Sequence, residues 1–125
     1  MSKYNPLVEP DADEWLALDE EERFLLIEHY HKKKRIHLPN LRAHALFHAV
    51  VENQIAMGDA TPSAAKLQEL LQDGLDRHEA IHAIGSVVAH MFHATMQEKS
   101  VGDPERWFAR EVQKLTKESW LALGQ

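Results

Sequence analysis

Residues His78-Glu79-Ala80-Ile81-His82 spell H-E-x-x-H. On a helix, positions four apart lie one turn along the axis and ~40° apart around it, so both imidazoles leave one face. Two such nitrogens can meet one zinc ion at ~2.0–2.1 Å. In metalloproteases the intervening glutamate is the general base that activates the metal-bound water, the role Glu79 would take in a hydrolase. The longer protease form with a third histidine is matched through Gly85 but has Val88 where that histidine belongs.

A second pair, His44 and His48, has the same spacing. Glu52 continues the step, and Val51 and Ile55 share the stripe, so this face points inward. Two inward-facing pairs on neighbouring helices offer four nitrogen ligands: His44, His48, His78 and His82. Bundle cores build metal sites in this way, from side chains on facing helices. The expected cofactor is zinc or another divalent transition metal. With all four bound the site is closed and structural; with one absent, water takes the fourth place.

Other placements of chemistry are weaker. Glu28-x-x-His31 and Glu79-x-x-His82 are both E-x-x-H, the motif that di-iron carboxylate bundles use twice, and Glu52 offers a further carboxylate. His31, however, stands beside Lys32, Lys33 and Lys34, whose charge opposes a dication, so it is left out of the expected ligand set. The basic run from His29 to Arg35 suits the negative end of a helix dipole better than a phosphate grip. His93 falls near the His82 stripe but ~16 Å along the axis, so it and His90 are read as packing or surface residues.

The elements that position these histidines are marked by caps and stops. Asp11 or Asp13 can open a short helix through Trp15, Leu16 and Leu18. Asp19, followed by three glutamates, opens one running to about residue 35, before a connector over 36–39. Asn40 caps residues 41–57, with Gly58 as the stop. Thr61-Pro62 opens a helix ended by Gly74, Asp76 one over 77–97, and Asp103-Pro104 a last one through Trp107, Phe108, Val112, Leu115 and Trp120. No run alternates apolar and polar residues over strand length. The fold expected is all-α: a single-domain bundle of four long helices plus one or two short N-terminal ones, over 1–125, with 1–12 an extended segment. The helix over 77–97 is apolar nearly all round, which marks it as central, with Ile81, Ile84, Val88 and Met91 facing the core and Gly85 allowing close approach. Trp15, Trp107, Phe108 and Trp120 are read as docking anchors.

Composition narrows the classes. At 125 residues with 44% hydrophobic and 27% charged side chains, the chain is one ordinary globular domain. It has no cysteine, which excludes disulfides, thiolate zinc sites and a cysteine nucleophile. A net charge of -6 disfavours nucleic acid as partner. No apolar run approaches the ~20 residues of a membrane span, and the start lacks the pattern of a secretory signal, so a cytoplasmic protein without membrane contact is expected.

From about residue 40 to 92 the chain resembles a family of small bacterial proteins of unknown function. The resemblance rests on Asn40, His44-x-x-x-His48, Gln54 and His78-Glu79-Ala80-x-His82-Ala83, with Asn53 where the family pattern has a glutamate. It implies a small helical bacterial protein with a metal site and supplies no activity. Two readings from different classes follow: a helical metal-binding protein using the two histidine pairs, or a metal-free helical module that docks a protein partner or a second copy. A hydrolase using Glu79 ranks third, and no substrate or reaction is assigned.

Overall fold

Side-chain caps at the starts of helices set the architecture. The computed structural model describes residues 1–36, 38–97 and 102–123. The connector expected over 36–39 therefore includes one residue, His37, outside the described residues. Asp11, Asp19, Asn40, Asp76 and Asp103 each accept a backbone N–H from the first turn they precede, at 2.8–3.0 Å. They open α1 (Ala12–Ala17), α2 (Glu20–Lys33), α3 (Leu41–Ala56), α5 (Arg77–Met96) and α6 (Pro104–Lys114). Between α3 and α5 lies α4 (Ser63–Gln72), preceded by a 3-10 turn at Gly58–Ala60. Gly58 and Gly74 take φ of +63° and +106°, the left-handed conformations that end α3 and α4. No strand occurs among the described residues, and the fold is all-α.

The segment opened by Asp103 divides in two. The apolar spacing through Leu115 and Trp120 predicts one continuous helix, but Leu115 and Thr116 are extended, and α7 (Lys117–Leu121) starts afresh. The cause is local. The Thr116 hydroxyl accepts the Ser119 N–H while Ser119 Oγ accepts the Thr116 N–H, a capping box that competes with helix continuation. The buried Lys66 ammonium takes the freed Leu115 carbonyl at 2.8 Å and is balanced by Glu69.

α3 is flanked by α2 on one side and α5 on the other, with α1 and α4 also against it. One apolar cluster joins Val51 and Ile55 of α3 to Leu67 and Leu70 of α4, Ile81, Ile84 and Val88 of α5, and Phe108, Val112 and Trp120. A second gathers Tyr4, Trp15, Ile27, Ala45 and Ala49. α5 is buried along most of its length, as its composition requires, and Met91 is half-buried against the first cluster. Gly85 is not demanded by close approach: a Cβ there would meet Val51 Cγ2 at 3.8 Å and Phe47 Cβ at 3.9 Å, ordinary contact. The N-terminal segment docks rather than hanging free, with Tyr4 and Pro6 buried. No helix among the described residues is long and apolar enough to cross a membrane.

Candidate metal centre

α3 carries His44 and His48 on the stripe between the two apolar clusters, and the first turn and a half of α5 carries His78 and His82. The four lie together, as their spacing predicts, and a fifth joins them. His31, in the last turn of α2, is fully buried. One ring nitrogen from each of the five lies within 4.8 Å of all the others. His44 Nε2 is 3.1 Å from His31 Nε2, and His48 Nε2 is 3.1 Å from His82 Nε2 and 3.2 Å from His78 Nε2. Donors ~2.1 Å from a common ion stand ~3.0 Å apart when adjacent and ~4.2 Å apart when opposite, so the 3.1–3.2 Å contacts suit adjacent donors, and the 4.8 Å spread would have to contract by about half an ångström to close on one ion.

The charge argument leaves His31 out of the expected ligand set, and the structure places it within the cluster. Lys32, Lys33 and Lys34 are all exposed and extend into water, where their field is screened. The signal that marks His31 is its place behind Phe24 and Ile27 at helical spacing, on the stripe that α2 buries. The E-x-x-H carboxylates stay outside the cluster. Glu28 pairs with Arg42 at 3.1 Å, and Glu79 Oε2 accepts the Trp120 indole N–H at 3.0 Å. His90 and His93 are exposed.

Two contacts behind the cluster fix ring tautomers. The Ile27 carbonyl can only accept, so the His31 Nδ1–H donates to it at 2.8 Å and leaves a lone pair on Nε2. The Tyr4 hydroxyl donates to Glu52 Oε2 at 2.6 Å, so its oxygen accepts from His48 Nδ1–H at 3.2 Å. His48 Nε2 then carries one lone pair, yet two other nitrogens stand at hydrogen-bond distance from it. A single linear hydrogen bond accounts for one of these contacts and leaves the other nitrogen facing the same lone pair.

Glu52 anchors this outer layer. It is 1% exposed and accepts both Arg77 guanidinium nitrogens at 2.8 Å, a bidentate pair. Arg77 also donates to the Pro6 carbonyl at 2.9 Å, which ties the N-terminal segment to the head of α5. Burial, with the Glu52 charge and hydrogen bond beside it, pushes the Tyr4 hydroxyl well above the ordinary tyrosine range, so Tyr4 keeps its proton. Asn53 takes a structural role, its Oδ1 accepting from Trp15 Nε1 at 2.8 Å and Arg23 at 3.1 Å.

No protein-family model, curated protein or solved structure matches this chain. Its chemistry is therefore read from the site alone.

Burial is the largest influence on the imidazoles, and mutual repulsion adds to it. His44 and His78 are lowered to about 4 and His82 to about 3. His31 is lowered by burial against its backbone hydrogen bond, and His48, buried and facing the other four imidazoles, is lowered furthest. All five are neutral at pH 7, which is the ligand form of imidazole. Tyr30 stands edge-on to His31 and His78, with ring centroids 5.3 Å and 5.8 Å away, and covers that side of the cluster.

Proposed function

We propose that this chain is a small metalloprotein in which His31, His44, His48, His78 and His82 hold one divalent first-row transition ion. The observation that carries the reading is the convergence of five neutral ring nitrogens from three helices, with His48 Nε2 facing two partners through one lone pair. An all-imidazole donor set suits zinc, copper, iron or nickel. Five donors exceed the four of a structural zinc site, so an ion accepting five or six ligands fits the set better. Glu79 receives no catalytic role, because its carboxylate is engaged by Trp120.

The test is metal analysis of untagged protein purified without an immobilised-metal column. One equivalent of a transition ion is expected, lost on substituting His48→Ala and retained in His90→Ala. Metal-free protein that neither gains an equivalent nor changes its melting temperature on adding zinc, iron, cobalt or nickel would overturn the reading. The metal-free interaction module would then be the better account of the fold.

A further inference from the structure

Three of the five rings, His44, His48 and His82, also form one wall of a pocket of about 230 Å³. Phe47, Ile81, Gly85, Ala89 and Trp120 form most of the rest. The Ser86 hydroxyl is the polar group of the remaining wall, and it donates to the Ala83 carbonyl at 2.7 Å. Among the described residues, no charged side chain lines the pocket. It is smaller than the ~300–1,000 Å³ that drug-sized ligands occupy.

We propose that this pocket is the exogenous-ligand site of the metal centre, and that it takes a monoanion of a few heavy atoms, of azide or short-chain carboxylate size. The inference rests on the metal reading above and goes beyond it. Five protein donors leave one position of a six-coordinate ion open, and the pocket reaches the cluster where three of those donors line it. All five donors are neutral, so the ion's charge is not compensated by its ligands. Of the nearby carboxylates, Glu52 is matched by Arg77, and Glu79 accepts the Trp120 indole N–H and does not line the pocket. A cation left uncompensated among apolar walls attracts an anion strongly. Without a lysine, arginine or free hydroxyl in the walls, nothing would hold a second negative charge or a polyol. The pocket thus selects against phosphorylated compounds and polycarboxylates by charge, and against large monoanions by volume.

The experiment uses the full chain loaded with cobalt(II), whose visible spectrum reports its coordination. Azide and propionate are titrated in, with phosphate and citrate as controls. Azide and propionate should shift the cobalt bands saturably, and phosphate and citrate should not. Ala89→Leu, which fills the pocket without touching a ligand, should keep one equivalent of cobalt and weaken propionate binding by about tenfold or more. Gly85→Ala, whose added methyl meets only ordinary contacts, should produce a smaller loss in the same direction. A full cobalt complement with a spectrum indifferent to both anions would overturn the inference and leave the metal reading standing. So would azide and propionate binding that Ala89→Leu and Gly85→Ala leave unchanged, since the anions would then reach the ion elsewhere. Failure to bind cobalt or any other ion would overturn the metal reading and this inference with it.

Discussion

Lowering the pH of the metal-free protein from 6.5 to 5 should strip away much of its stability. In an unfolded chain a histidine titrates near ~6.5. In the fold His44 and His78 titrate at about 4 and His82 at about 3, and His31 and His48 are also lowered. Below pH 6.5 the unfolded state takes up protons that the native cluster refuses. Stability is therefore complete above that pH, falls as the pH drops through it, and levels off only once the native imidazoles themselves protonate near pH 3–4. Each histidine held neutral in the fold contributes a slope of ~1.4 kcal/mol per pH unit, so His44, His48, His78 and His82 together approach ~5 kcal/mol per pH unit near pH 5, and His31 adds in the same direction. Summed over those four from pH 6.5 to 5 the loss is about 6 kcal/mol, against a total of ~5–15 kcal/mol for a domain of this kind. Urea unfolding of metal-free protein at half-unit steps from pH 7.5 to 4.5 measures it. A free energy that changes over pH 6.5–5 by no more than one histidine's slope would refute the view that five imidazoles are buried uncharged. With metal bound, stability at pH 7 should be higher by mass action and should fall more steeply over the same window, because protons also displace the ion.

Other outcomes follow from the packing and the outer layer. Arg77→Met strands the Glu52 carboxylate in the core and should cost about 3–5 kcal/mol in urea unfolding. Glu52→Gln combined with Arg77→Met should cost clearly less than the sum of the two single changes. Ile84→Ala, at a fully buried site on α5, should destabilise by about 2–5 kcal/mol, and a loss below ~0.5 kcal/mol would mean that α5 is not central. Tyr4→Phe removes the hydroxyl that holds His48 Nδ1–H and should weaken metal affinity by about 10–100-fold, measured by competition with a chelator, while His90→Ala should leave it unchanged.

What the sequence discloses depends on how local the physics is. Caps such as Asp19, Asn40 and Asp76 act within one turn, and the structure places each where its residue type predicts. His44 with His48 and His78 with His82 are legible because a four-residue step guarantees a shared face on any helix. His31 is hard to read from the sequence because three lysines follow it, and only the tertiary packing of α2 on α3 shows that its ring turns away from them. Tyr4 and Arg77 meet Glu52 from 48 and 25 positions away, and no periodicity encodes such a meeting. The break at Leu115 and Thr116 was masked because the apolar spacing continues across it.

The spread of the five ligands along the chain has a consequence for cohesion. An ion held by His31 at one extreme and His82 at the other closes a loop of about 50 residues. In the chain-entropy account, a covalent cross-link over such a loop is worth ~4 kcal/mol. A cysteine-free chain would thereby gain a reversible staple, set by metal supply rather than by oxidation. The staple would fasten α2, α3 and α5 together, while α6 and α7 supply none of the five histidines. Amide protons of the three stapled helices would thus exchange more slowly in the presence of metal, and the C-terminal helices would open nearly as often as before, making them the layer of the molecule that loosens first.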